Sequence, residues 1–225
     1  MPTLLSIQAS SRGDASVSRI LSDKYVEQWR HRHPDGKLIV RDLMKTDLPF
    51  IDNLWISGAY SPDVEKRTPE MRAALSISDV LIAELRAADQ ILIGVPMLNF
   101  GIPAVLKAYI DQIVRLNETF SREAGGLLKD KVVKIILASG RVYTAGSPDA
   151  GLDFASGQLK AVLNYIGLTD IEVIFVGGAL GIARGIFKLE DHIARWEPAV
   201  RQMVGMTRAV KEVVGETRTV KGVAV

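Results

Sequence analysis

The sequence predicts an α/β fold: a doubly wound, five-stranded parallel sheet in the order 2-1-3-4-5, with helices on both faces. Three observations predict it. Five short runs are apolar on both faces instead of alternating, as strands buried in a parallel sheet are. A helical pattern separates each run from the next, so strand and helix alternate strictly, and right-handed crossovers then wind the chain over both faces. No internal repeat or second core interrupts the 225 residues, a length that suits one domain.

The strand runs are "TLLSIQA" (3–9), "KLIVRDL" (37–43), "QILIGV" (90–95), "VVKIILAS" (132–139) and "DIEVIFVGG" (170–178). The first helix is marked by a stripe of Val17, Ile20, Leu21, Tyr25 and Trp29. The pattern at 68–89 opens with a Thr cap and a Pro in the first turn, then repeats apolar residues every three or four. Residues 103–116 again start on Pro, and 152–167 end on a Gly stop. A last long helix is expected from about Phe187 to Val214, followed by a frayed tail at 215–225. Residues 44–67 read as a long irregular insert. Its Phe50, Leu54, Trp55, Ile56 and Tyr60 are too apolar for a solvated linker, so it is expected to be a lid, an interface segment or a piece packed on its own domain.

Composition narrows the function. Apolar residues make up 48% and charged residues 24%, which is ordinary for a chain with a good core. The net charge of +2 is too small to argue for nucleic-acid binding. The absence of cysteine excludes disulfides, thiolate metal sites and a Cys nucleophile. No apolar run approaches the ~18 residues of a membrane span, and the N-terminal segment does not read as a signal peptide. The expectation is a soluble, cytoplasmic protein with no nucleic-acid or membrane partner.

In an open parallel sheet, ligands bind beyond the carboxyl ends of the strands, where strand order reverses. Three loops meet there. The first, "ASSRGDASVS", leads into the first helix and carries Ser10, Ser11, Ser16 and Ser18, with Arg12 and Gly13 among them. Hydroxyls, a cation and the free N–H groups of a helix start describe a monophosphate cradle. It is neither a Walker loop nor G-x-G-x-x-G. The plainer reading is that one Ser merely caps the helix.

The second loop, "PMLNF" (96–100), puts Met97, Leu98 and Phe100 beside Asn99 where polar turn residues are usual. A flat, mostly apolar heterocycle with polar edges would call for that combination; otherwise Met97 and Phe100 tuck into the core. The third loop, "SGRVYTAG", offers Ser139, Gly140 and Gly146 for close backbone approach, Arg141 for a carbonyl or anion, and Tyr143 as a stacking group. His31, His33 and His192 fall in none of these loops and are read as solvated surface imidazoles. A site with phosphate, ring and backbone contacts but no reactive side chain suits a borrowed cofactor, and flavin mononucleotide (FMN) matches.

These residues resemble those of the FMN-dependent NADH-azoreductases, the flavodoxin-like NAD(P)H:quinone oxidoreductases of bacteria. The likeness runs from the first strand to about Gly178. It rests on "SS" at 10–11, "S-x-S" at 16–18, "LSDKYVEQWR" at 21–30, "VRDL" at 40–43, "LSISDVLIAEL" at 75–85, "PM-x-NF" at 96–100 and "TF" at 119–120.

The resemblance implies non-covalent FMN, NADH or NADPH as donor, and quinones or azo compounds reduced by two electrons in a ping-pong exchange through flavin N5, with no catalytic side chain and no metal. It implies a homodimer with active sites at the interface. It assigns Ser10, Ser16 and Ser18 to the phosphate, and Arg12 and Val17 of the same loop are expected beside them. Pro96, Met97, Leu98, Asn99 and Phe100 hold the ring, with Ser139, Gly140, Arg141 and Val142 at its far edge. Phe120 and Tyr143 line the substrate pocket, Phe120 being offered to the partner's flavin.

Two departures stand out: Leu98 where the family often has an aromatic residue, and "S-G-R-V" where it often has "S-R-G-G". Three other readings compete with this one. One is an FMN electron carrier without nicotinamide turnover. Another is a dehydrogenase using "VGGALGIARG" (176–185), which lacks the first glycine of its motif and follows the wrong strand. The last is a phosphatase relying on Asp14.

Overall fold

The computed structural model describes residues 1–61 and 63–205. Its main sheet is formed by β1 (Thr3–Gln8), β2 (Lys37–Asp42), β3 (Gln90–Pro96), β6 (Val132–Ala138) and β7 (Asp170–Val176). All pairs are parallel, in the order β2-β1-β3-β6-β7. The expected 2-1-3-4-5 order therefore holds. Between β3 and β6 lies a short antiparallel hairpin, β4 (Phe120–Ser121) with β5 (Gly125–Gly126), that the apolar runs did not announce. Two-residue strands are too short to leave a periodic signal.

Strand alternation divides the core in two. Leu5, Ile7, Ile91, Ile93 and Val95 face α3 (Pro69–Ala87), α4 (Ala104–Ile113) and α5 (Phe154–Tyr165). Leu4, Leu92 and Ile136 face α1 (Val17–Arg32) and α7 (Leu189–Gly205). On the α1 side Leu21, Tyr25 and Trp29 are all buried at i, i+4, i+8. Burying each such side chain stabilises by roughly 1.5–3 kcal/mol. Gly94 sits beneath α1, where a Cβ would collide with the Ser22 hydroxyl and the Gln8 amide, so only glycine lets helix and sheet approach this closely. β2 is an edge strand, and its Val40 is exposed, unlike the buried run the sequence suggested.

Two further expectations need correction. The 44–67 insert is not irregular throughout: it holds α2 (Asn53–Ala59), started by the Asp52 side chain, which accepts from the Trp55 N–H. Its Trp55 is buried against Leu75, and the indole N–H donates to Gln112 Oε1 at 2.8 Å. Its Phe50, Leu54, Ile56 and Tyr60 remain exposed. One face thus packs on its own domain while the other stays open.

The last helix starts close to its expected place, with α7 beginning at Leu189, and a short α6 (Leu180–Ala183) that the sequence did not announce precedes it. The expected helix end at Val214 and the tail at 215–225 lie outside the described residues. Finally, His192 is no surface imidazole. It is buried and stacked flat on Phe187, with ring centroids 5.3 Å apart and planes at 8°. Burial, aided by the Arg195 charge, holds its pKa below the ordinary value. His31 is exposed as expected, and His33 is half-buried against Trp29.

Candidate active site

The carboxyl ends of β1, β3 and β6 bring the three loops together. After β1, Ala9 donates its N–H to Gly94 O at 3.0 Å, tying the first loop to β3. Ser10, Ser16 and Ser18 are buried, whereas Ser11, Arg12 and Asp14 are exposed. Ser16 caps α1, accepting from the Arg19 N–H at 3.3 Å, and its hydroxyl lies 3.2 Å from that of Ser18. The Ser10 hydroxyl accepts from the Arg12 N–H at 3.3 Å.

The N–H groups of Val17 and Ser18 lie in the first helical turn, which no intrahelical carbonyl can reach. A cap needs one hydroxyl. Three buried hydroxyls near one helix start form a donor-rich cluster whose chemistry suits an anion. The Arg12 side chain stands outside this buried set, exposed at the rim. A second cation does bind the loop: Arg19 reaches the Ser10 carbonyl at 3.4 Å and Asp42 at 3.1 Å. Nothing in its sequence spacing announced that role.

After β3, Met97 donates to Ala138 O at 2.7 Å, and Leu98 and Gly101 exchange both backbone hydrogen bonds at 2.9 and 3.0 Å. This closes a two-residue turn. Asn99 (φ 48°) and Phe100 (φ 70°) both adopt the left-handed conformation that a type I′ turn requires. Asn tolerates it, but a bulky Phe there is strained.

The turn is held by Phe154, whose N–H donates to the Phe100 carbonyl at 3.1 Å, and by an edge-on contact of Phe100 with Tyr143. Met97 is half-buried against the core, so the core-packing reading applies to it; Leu98, Asn99 and Phe100 are exposed. The Phe154 contact was also invisible in sequence, because it joins residues 54 positions apart.

After β6, the carbonyls of Ser139, Gly140 and Arg141 accept from Ala179, Leu180 and Gly178 respectively. In a trans peptide the following N–H points the opposite way. The N–H groups of Gly140, Arg141 and Val142 therefore face away from the β7 loop, toward the β3 side of the site. The Ser139 hydroxyl donates to Arg141 O at 2.7 Å, and the Arg141 guanidinium pairs with Asp149 at 3.1 Å. That ion pair occupies the arginine expected to hold an anion.

Phe120 is not near these loops. It lies in β4, with its ring tilted at 46° against that of Tyr165 at the far end of α5, near where β6 and β7 begin. Among the described residues no cluster of His, Asp and Glu forms a metal site, and no helix is long and apolar enough to cross a membrane.

Fold and site together define a class: a flavodoxin-like α/β protein with buried hydroxyls at the start of its first helix and an exposed apolar turn beside them. Comparison with known proteins narrows the class. Residues 2–200 match the family model described as a flavodoxin-like fold. An FMN-dependent NADH:quinone oxidoreductase of Burkholderia lata is 45% identical over 193 residues, 86% of this chain and 91% of its own. One from Acidobacterium capsulatum is 45% identical over 181 residues, 79% of this chain and 87% of its own. Among solved structures, an azoreductase from Bacillus anthracis superposes with a TM-score of 0.80 at 26% identity, covering 91% of this chain and 99% of that one. The chain belongs to the flavodoxin-like FMN-dependent NADH:quinone oxidoreductase and azoreductase family.

Proposed function

We propose that this protein is an FMN-dependent NAD(P)H oxidoreductase that reduces quinones and azo compounds by two electrons, built as one FMN-binding domain and working in the cytoplasm. The observation that carries the reading is the pairing of three buried hydroxyls at the start of α1 with a strained, exposed Asn99–Phe100 turn at the strand-order switch. Backbone strain persists where it serves a ligand.

Ser10, Ser16, Ser18 and the first-turn N–H groups of α1 donate to the phosphate. Leu98, Asn99 and Phe100 present an apolar shelf with an amide at its edge. The N–H groups of Gly140, Arg141 and Val142 supply fixed donors for negative charge at the ring's polar edge. When bound, FMN supplies a ring that takes hydride from a nicotinamide and gives two electrons to an acceptor. No side chain needs to form a bond in the reaction.

A homodimer completes the site in this reading. Phe120 lies too far from its own cradle to serve it, and the open face of α2 with Phe50, Leu54, Ile56 and Tyr60 offers apolar surface for a partner. Visible absorption of the protein after desalting with excess FMN tests the cradle, and a colourless product rules it out. NADH oxidation with benzoquinone, giving parallel double-reciprocal lines, separates a shared pocket from the electron-carrier reading. Sedimentation of the flavin-loaded protein tests the dimer, and a monomer with full activity rejects it.

A further inference from the structure

A cavity of about 690 Å³ lies on the other side of the 140–149 loop, between that loop, the end of β7, α6 and α7. It shares Gly140, Arg141 and Val142 with the FMN cradle, but no residue of 10–18 or 96–100 lines it. Its volume falls in the range of small-molecule sites, roughly 300–1,000 Å³. Phe175, Leu180, Ile186, Phe187, Trp196 and Pro198 make the walls apolar and partly aromatic. The shape is built in. A Cβ on Gly181 would run into the Phe187 ring, so glycine there lets α6 close against the segment leading to α7.

The charged groups in this cavity are mostly cations. Arg141, Arg184 and Arg195 line it against a single carboxylate, Asp149, and that carboxylate is already paired with Arg141. Arg195 lies over the Phe187 ring at 5.5 Å, which fixes its guanidinium beside the apolar wall. Arg184 and Arg195 have no carboxylate partner among the described residues. A net charge of +2 from three guanidiniums and one carboxylate, set among apolar and aromatic walls, calls for an anion on an apolar body.

We propose that this cavity is a second binding site, separate from the FMN cradle, for a small amphipathic carboxylate with a flat aromatic body. The ring packs between Phe187, Trp196 and Pro198, and the carboxylate meets Arg184 and Arg195. The site does not depend on the activity proposed above, and both ligands can be bound at once.

The test uses the full chain saturated with FMN and the probe 2-naphthoate, followed by calorimetry. One molecule is expected to bind per chain without displacing FMN. Neutral 2-naphthamide should bind at least tenfold more weakly. Arg184→Gln with Arg195→Gln should cost tenfold or more, and Ala199→Trp, which fills the cavity from α7, should abolish binding. In a ¹⁵N spectrum the Trp196 indole signal, assigned through Trp196→Phe, should move while those of Trp29 and Trp55 stay.

Equal affinity for the amide, indifference to Ala199→Trp, competition with FMN or no binding at all would each overturn the proposal. So would binding that appears only after residues 206–225 are removed, since the cavity would then belong to the chain's own C-terminal segment. A chain that binds 2-naphthoate but no FMN would reject the flavoenzyme reading and leave this one standing.

Discussion

The loop after β1 hides its chemistry, and the loop after β3 displays it. Ser10, Ser16 and Ser18 are almost wholly buried, with hydroxyls already engaged with one another and with nearby backbone. Leu98, Asn99 and Phe100 stand in solvent, two of them in left-handed backbone. The difference follows from what each end would hold. A phosphate is bound by donors fixed in advance, and donors are fixed by burial and capping. A flat ring is bound by surface, which must be exposed before the ring arrives. The first loop therefore adds to the stability of the fold, and the second subtracts from it.

The largest effect expected from this contrast is at the phosphate end. Hydrogen bonds to a charged group are worth about 1.5–3 kcal/mol each. Replacing Ser10, Ser16 and Ser18 together by Ala should weaken FMN at least ~100-fold while leaving riboflavin, which has no phosphate, little changed. Flavin fluorescence titration with both ligands decides it, and an equal loss for riboflavin would move the serines away from the phosphate. Loss of the Ser16 cap should also lower stability by about 1 kcal/mol.

At the ring end, the strain at Phe100 can be isolated by comparing two variants that both lack the ring. Phe100→Gly should be more stable than Phe100→Ala by about 1–2 kcal/mol, because only glycine is free of the left-handed penalty. Urea midpoints measure the difference; identical midpoints would mean that the turn relaxes and no strain is stored. A smaller change is expected from Leu98→Tyr. An aromatic contact adds about 0.5–1.5 kcal/mol, so FMN should bind several-fold more tightly. No gain would show that residue 98 does not lie beside the ring.

A control lies outside both loops. The His192 pKa is held below its ordinary value of 6.5, so the folded state refuses a proton that the unfolded state accepts. The stability this contributes is present above pH ~6.5 and is lost as the pH falls below it. His192→Phe should flatten the stability profile between pH 7 and 5 and leave FMN affinity unchanged.

Much of this contrast was legible in the residues. A cluster of serines before an amphipathic helix and a run of apolar residues in a turn both break the usual rules for loops, and both lie at the switch point. What escaped notice were contacts across long separations. The Phe154 N–H that pins Phe100, the Arg19 reach back to Ser10 and Asp42, and the Arg141–Asp149 pair have no local pattern. His192 escaped for a related reason. A lone polar residue on a helix is assigned outward by default, and only the approach of Phe187 across the α6–α7 turn buries it.

The sequence by itself determined the strand order, the five long helices and the three loops that meet at the site, because hydrophobic period, Pro and Gly stops and crossover handedness are local or nearly local constraints. Only the tertiary structure decided which side chains in those loops are spent and which are free. It tied Arg141 to Asp149, turned the carbonyls of residues 139–141 to the loop after β7, set Phe120 at the opposite end of the sheet and opened a cavity behind the third loop. These outcomes depend on where distant elements pack, and packing is fixed by shape and by pairing of buried polar groups that no window along the chain contains.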